Sequence, residues 1–306
     1  MKHILITGAS GFIGKRLTRL FLKKGYKITG IGTSLKHPFS MEFKNFDWVS
    51  ADTTIEGDWQ NYVAVSDIII NLTGRSIFSY WTKKYKTTIY DSRILTTRNI
   101  INALTDNGKT QKLLTASAVG IYGDCREELL TEDKLPGHDF LAEVCLQWEK
   151  EGLKARKKGV RVAVMRFGVV LGNGGGALSL MAPLFKLFAG GPLGKGQHWF
   201  PWIHIEDLEK AVEFIIENND IDGTFNFTGP EPVQQKQFAR SLGQALQRPS
   251  FMPAPSFMVK AIMGELGSSL LQSQKAVPKN LTDSGYHFKF SDVKSALQDI
   301  FRGKDL

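Results

Sequence analysis

Short runs of β-branched and other apolar residues alternate along the chain with segments whose apolar positions recur at helical spacing. The runs are His3–Ile6, Lys27–Ile31, Phe46–Val49, Asp67–Asn71, Lys112–Ser117, Arg161–Arg166 and Thr224–Phe227. Between them Lys15–Lys24, Ser92–Leu104 and Leu141–Lys158 carry the helical pattern, as at Ile94, Leu95, Ile100, Ile101 and Leu104. Apolar stripes of that period bury themselves against a sheet. Seven strands joined by helical crossovers predict an α/β fold with a doubly wound, mostly parallel sheet. The rhythm changes past Arg166: Gly172–Gly176 and Ala189–Gly196 are glycine-rich, and prolines interrupt Pro249–Pro255. A smaller, mostly helical lobe is expected there. The division predicted is a sheet domain over 1–170, rejoined by 201–229, and a lobe made of 171–200 and 230–306. No internal repeat or low-complexity tract breaks this plan.

Composition narrows the class. The chain has 306 residues, 42% of them hydrophobic and 23% charged, which is globular usage and argues against disorder. No apolar run approaches the ~18 residues of a membrane span. Residues 1–14 read as a strand entering a glycine loop rather than as a leader, so a cytoplasmic protein is expected. Cys125 and Cys145, the two cysteines, have neither disulfide-framework nor metal-ligand spacing. They are expected as reduced thiols, with no metal. The formal charge of +9 raises the question of nucleic acid. Its clusters, at Lys23, Lys24 and Lys27, at Lys83, Lys84 and Lys86, and at Arg156, Lys157, Lys158 and Arg161, fall at predicted helix ends or solvent faces, and no nucleic-acid-binding motif accompanies them. A small phosphorylated ligand accounts for the charge with fewer assumptions.

The strongest local signal is Thr7-Gly8-Ala9-Ser10-Gly11-Phe12-Ile13-Gly14, between the apolar Ile4-Leu5-Ile6 and an amphipathic helix. Gly8 permits the tight turn, Gly11 lets backbone amides approach a pyrophosphate, and Gly14 lets the helix pack close to the sheet. The helix N-terminus adds free N–H groups and a positive dipole. Strand, turn, helix and second strand follow one another within about 30 residues, the context a dinucleotide site requires. A site for NAD places an acid about 20 residues beyond the glycines. Here no acidic residue precedes Glu42, and the second strand ends in Gly32-Thr33-Ser34-Leu35-Lys36. Two hydroxyls and a cation stand where a 2′-phosphate would sit, so NADP(H) is expected over NAD.

TGASGFIG spells the TGxxGxxG turn of short-chain dehydrogenases, and further segments follow in order. Asn71-Leu72-Thr73-Gly74, Ser117-Ala118-Val119-Gly120-Ile121-Tyr122-Gly123 and Arg166-Phe167-Gly168-Val169-Val170-Leu171-Gly172 resemble the segments that end strands four, five and six in extended members. The chain is more closely similar to the atypical epimerase-family proteins, nucleoside-diphosphate-sugar epimerase-like chains with a C-terminal domain of unknown function. Asp91-Ser92-Arg93-Ile94, Phe140-Leu141-Ala142-Glu143-Val144-Cys145, Trp148-Glu149, Trp202-Ile203-His204-Ile205-Glu206-Asp207-Leu208, Asn226-Phe227-Thr228-Gly229-Pro230-Glu231-Pro232, Gly264-Glu265 and Pro278 carry that likeness across essentially the whole chain. The resemblance implies a Rossmann-type domain. It sets the cofactor against Gly8, Ser10, Gly11, Phe12, Ile13 and Gly14, against Thr33, Ser34 and Lys36, and along Leu72, Thr73, Gly74, Arg93, Ser117 and Phe167.

The same likeness exposes a departure. Active short-chain dehydrogenases carry a Tyr-x-x-x-Lys pair in the helix after strand five, where the tyrosinate shuttles the proton as hydride moves. Here that helix reads Phe140-Leu141-Ala142-Glu143-Val144-Cys145. Ordinary UDP-sugar epimerisation is therefore not expected. The usual Ser/Thr falls at Ser117 or Ala118, and only Ser117 can donate; Ser117 and Tyr122 are the catalytic candidates. Tyr80, Trp81 and Lys83 lie on a loop that could overhang the nicotinamide. Arg93 could grip a substrate phosphate or carboxylate, or pair structurally with Asp91 or another acid. His204 is expected to be structural. Two functions remain open: an NADP-dependent oxidoreductase or epimerase-like enzyme acting on a small carbonyl or sugar substrate, with nucleotide activation undecided, and a non-catalytic NADP(H)-binding sensor or interaction module. A small-molecule substrate is the expected partner, without nucleic acid or membrane, and a homodimer stays open.

Overall fold

A computed structural model describes residues 1–37, 39–105 and 111–302. Seven strands form one sheet: β1 (His3–Thr7), β2 (Lys27–Gly32), β3 (Phe46–Ser50), β4 (Ile68–Asn71), β5 (Lys112–Ala118), β6 (Arg161–Phe167) and β7 (Gly223–Phe227). Their order is β7-β6-β5-β4-β1-β2-β3 and every pairing is parallel. The strand order reverses between β1 and β4, which opens a crevice at their carboxyl ends.

Alternation along β1 shows how both faces are covered. Ile4 and Ile6 pack with Leu17, Phe21 and Ile28 on one face, whereas Leu5 points to the other with Ile31, Ile69, Leu113 and Val164. Helices α1 (Phe12–Lys23), α2 (Lys83–Ala103) and α3 (Phe140–Leu153) fall near the predicted segments. Two boundaries differ. The second helix begins nine residues earlier than the apolar pattern indicated, because the Thr82 side chain accepts the Tyr85 N–H and starts a largely solvent-exposed first turn. The third ends at Leu153 and continues as a tight 3₁₀ turn, Lys154–Lys158, closed by left-handed Gly159.

Beyond β6 the chain builds a second core. Helices α4 (Gly176–Lys186), α5 (Ile205–Glu217), α6 (Gln235–Ala245), α7 (Ser256–Met263) and α8 (Val293–Phe301) follow. Leu178 and Phe185 of α4, Phe238 and Leu242 of α6, and Leu297 and Ile300 of α8 enclose Trp202 in a cluster of their own. Helix α5 instead returns to the sheet, where Leu208, Val212 and Ile215 join the core beside β1. Three short strand pairs stitch the parts together: Val169–Leu171 with Trp202–His204, Trp199–Phe200 with Val233–Gln234, and Leu129–Leu130 with Lys275–Ala276. The basic clusters are dispersed over different elements, and several of their members are paired, as Lys27 with Asp47 and Lys86 with Glu265. Among the described residues no helix is long and apolar enough to cross a membrane, and no group of three or more His, Cys, Asp or Glu could hold a metal ion.

Candidate functional site

The turn after β1 is shaped by three glycines, each needed for a different reason. Gly8 has φ +70°, and a side chain there would also meet the Leu72 carbonyl at 3.0 Å. A Cβ on Gly14 would lie 2.2 Å from the Gly8 oxygen, so only glycine lets α1 sit this close to the turn. Gly11 is extended at φ −73° and ψ 174°, caps α1 without a side chain, and leaves the Phe12 and Ile13 amides with no intrahelical acceptor. No acid stands in the first turn of α1. Beneath the turn the Thr7 hydroxyl donates to Asn71 at 2.8 Å, and Asn71 donates to Thr97, fixing β1, β4 and α2 to one another.

At the far side of the turn, a Cβ on Gly32 would meet the Ser10 hydroxyl at 3.0 Å, so the end of β2 lies against the turn. Thr33, Ser34 and Lys36 follow, all exposed. The Ser34 carbonyl accepts from the Trp48 indole at 2.8 Å, which pins the loop while leaving its side chains in solvent. His37 is buried among Phe39, Phe46 and Trp48, and burial, with Lys15 nearby, lowers its pKa and keeps it neutral.

From the glycine turn a cleft of about 520 Å³ runs over the ends of β4, β5 and β6 to the lobe. Gly8, Gly11, Phe12, Ile13 and Gly14 form one end, and Leu72, Gly74, Arg93, Ser117 and Phe167 line its length. Ser10 and Thr73 stand just outside it, Thr73 touching the turn through its backbone. The lobe contributes His198, Trp199, Phe200, Leu266, Leu270 and Gln272. Helix α3 presents Leu141, Val144, Cys145 and Trp148, while Phe140 turns away to pack on Trp81. Burial pushes the Cys145 thiol up to about 11.

The two expected catalytic hydroxyls are engaged elsewhere. Ser117 lines the cleft, yet its hydroxyl is buried and donates to Glu149 Oε1 at 2.6 Å. Glu149 in turn receives a two-pronged bond from Arg166, Nε to Oε1 at 2.8 Å and Nη2 to Oε2 at 2.9 Å. Tyr122 is 2% exposed and is not among the residues lining the cleft. Its hydroxyl donates to Asn226 at 2.7 Å and accepts from Arg166 at 2.9 Å, and burial pushes its pKa up to about 12. The structure thus places the Tyr122 phenol in a buried network outside this cleft, with its hydroxyl both donating and accepting. Tyr80 is exposed, Trp81 is buried against Phe140, and Lys83 begins α2; none of the three lines the cleft. His204 caps α5, accepting the Glu206 N–H at Nδ1, and burial brings its pKa down to about 4.

Arg93 and His198 also line the cleft. Arg93, on α2, has no carboxylate partner among the described residues: Nη1 donates to the Ile89 carbonyl at 2.8 Å and the guanidinium lies 5.2 Å from the Trp148 ring. His198 was not legible from the sequence; its Nε2 is buried without a partner, and burial lowers its pKa so that it is neutral near pH 7. The signal that pointed to it was slight, a lone imidazole before the aromatic run Trp199-Phe200-Pro201-Trp202.

Comparison with known proteins agrees with this architecture. The model of the NAD dependent epimerase/dehydratase family matches residues 4–227, and a domain of unknown function, DUF1731, matches residues 254–300. The chain is 38% identical over 98% of its length to an Arabidopsis thaliana protein named epimerase family protein SDR39U1 homolog, chloroplastic, covering 86% of that protein. It is 36% identical to epimerase family protein YfhF of Bacillus subtilis, over 97% of each chain. The crystal structure of human epimerase family protein SDR39U1 (isoform 2) with NADPH superposes with a TM-score of 0.87 at 29% identity, covering 99% of this chain and 100% of that one. Thermus thermophilus UDP-glucose 4-epimerase in complex with NAD, 17% identical over 98% and 99% of the two chains, has a TM-score of 0.76 and shares the fold.

Proposed function

The chain belongs to the NAD dependent epimerase/dehydratase family, and on that premise we propose that it is an NADP-linked oxidoreductase or epimerase-like enzyme acting on a small carbonyl or sugar substrate. The observation that carries this reading is the continuity of the cleft, from free amides at the start of α1 to Arg93 and His198 at the lobe. The cradle fits a dinucleotide: Gly11 leaves open the space a side chain would fill before Phe12 and Ile13, and no acid opposes a pyrophosphate there. The human relative crystallised with NADPH supports the choice of NADPH, as do the exposed Thr33, Ser34 and Lys36 beside the turn. Residues 1–170 and 201–229 would hold the cofactor, and 171–200 and 230–306 would close over the substrate.

When bound, NADPH supplies a hydride to a carbonyl carbon. The accompanying proton must then be supplied. Ser117 can do so only by releasing Glu149, and His198 is neutral near pH 7 and carries no acidic proton, so solvent in the cleft is the proton source. Leu141, Val144 and Cys145 provide no base where the family pair would stand, which argues against sugar epimerisation. Two thiols free of a disulfide fit a reducing compartment, which supports the cytoplasmic location we propose.

A second reading rests on the same apolar stretch of α3: a module that binds NADP(H) without chemistry and reports it to a partner. Purified protein with NADPH and a panel of aldehydes, ketones and enones separates the two. Substrate-dependent loss of NADPH absorbance is the outcome expected of the enzyme; tight NADPH binding with no turnover across the panel would favour the sensor.

A further inference from the structure

Arg93 is the one charged side chain among the described residues that line the cleft. Its Nη1 is spent on the Ile89 carbonyl and its plane on Trp148, but the Nε and Nη2 edge makes no hydrogen bond to the protein. Gly74 lies over one face of the guanidinium, where a Cβ would strike Cζ at 3.0 Å, so only a glycine lets the backbone pack this close to it. Burial is the largest influence on the group and lowers its pKa, as for a cation desolvated without an acid beside it. An arginine does not escape by losing its proton. A half-buried cation with no counter-charge beside it is costly, and a two-pronged carboxylate is the ligand that unpaired Nε and Nη2 fit.

The remaining lining restricts what carries that anion. Ile77, Phe78, Leu141, Val144, Leu266 and Leu270 are apolar. The side-chain amide N–H groups that reach the cleft are engaged, Gln272 with Asp139 at 2.8 Å and Gln274 with the Gly123 carbonyl at 3.2 Å. A sugar ring would meet few side-chain donors for its hydroxyls along this wall, and a nucleoside diphosphate would bring two negative charges to a single cation.

We propose that the substrate is a compact, largely apolar carboxylate, its anionic end held by the Nε and Nη2 edge of Arg93 and its body by the apolar wall of the cleft. This rests on reading the cleft as the substrate site of an NADPH-binding protein.

The test titrates benzoate, 3-phenylpropanoate and octanoate, each beside its primary amide, into wild type and Arg93→Met by calorimetry, with and without NADPH. At least one acid should bind wild type about tenfold or more tightly than its amide, and the preference should vanish in Arg93→Met. Acids and amides binding alike, or not at all, to a wild type that holds NADPH would overturn the proposal. So would an Arg93→Met protein that keeps the acid preference but loses NADPH, which would assign Arg93 to the cofactor. UDP-glucose displacing the acids would overturn the apolar substrate class. If Arg93→Met does not fold, Arg93→Lys keeps the charge without the fork and should weaken the preference; an undiminished preference rejects the two-pronged grip. Should wild type fail to bind NADPH while acid preference depends on Arg93, the cofactor reading falls and the Arg93 site stands.

Discussion

The glycine turn and the region where β5 meets α3 are built on opposite principles. At the glycine turn the donors are backbone amides, left unpaired because Gly11 offers no cap and Gly8 and Gly14 admit no side chain. At the β5–α3 end the donors are side chains, and they are spent on one another: Ser117 on Glu149, Arg166 on Glu149 and Tyr122, Tyr122 on Asn226. The first end is open to a ligand, and the second is closed on itself. Binding a dinucleotide needs mainly a backbone path, whereas acid–base chemistry needs particular side chains with free lone pairs or protons. A fold can therefore keep the first while the second is rebuilt. In this chain the free side-chain polarity has moved to Arg93 on α2 and His198 on the lobe, outside the helix that carries it in active short-chain dehydrogenases.

The largest expected effect comes from breaking the closed end. Arg166→Met strands Glu149 in the interior and should lower stability by about 3–5 kcal/mol, read as a shifted urea midpoint. The double variant with Glu149→Gln should recover part of that loss; no recovery would mean that Arg166 acts through packing alone. At the open end Gly11→Val keeps an allowed extended backbone but sets a Cβ 3.1 Å from the Gly8 oxygen; with folding checked by circular dichroism, it should weaken NADPH binding by about tenfold or more. Unchanged affinity in a folded variant would remove the turn from the cofactor site. A finer change is Ser34→Asp beside the turn. Wild type should favour NADP over NAD by about tenfold, the worth of a charge-assisted phosphate bond, and the variant should reverse the order.

A further effect, confined to acid pH, tests a histidine outside both ends. His204 titrates near 6.5 when unfolded and near 4 when folded, so the unfolded chain binds the extra proton between those values. Stability should be full above about 6.5 and fall as pH drops toward about 4. His204→Asn keeps a capping side chain on α5 and should flatten that part of the pH–stability curve relative to wild type. Parallel curves would show that the imidazole does not titrate there.

The sequence by itself determined the parts that depend on local pattern. Runs such as Ile4-Leu5-Ile6 are strands because apolar residues of that kind are buried on both faces of a parallel sheet, and all seven predicted runs lie in the sheet. TGASGFIG is a turn because Gly8 and Gly14 stand where other residues would clash. The exposure of Thr33, Ser34 and Lys36 beside that turn follows from their place after β2. Tertiary structure decided the rest. Ser117 and Tyr122 looked alike as hydroxyls near the end of β5, but whether each is free depends on Glu149, Arg166 and Asn226, which arrive from 32, 44 and 104 residues away. Which face of α3 meets the cleft is likewise set by packing: Phe140 lies on Trp81, and Leu141 and Cys145 face the cleft. Arg93 could have met Asp91 or any other acid, and its lack of one is a property of everything folded around it. Local spacing fixes which way a backbone runs, but a side chain's charge partner, solvent and proton are set by neighbours that only the folded chain brings together.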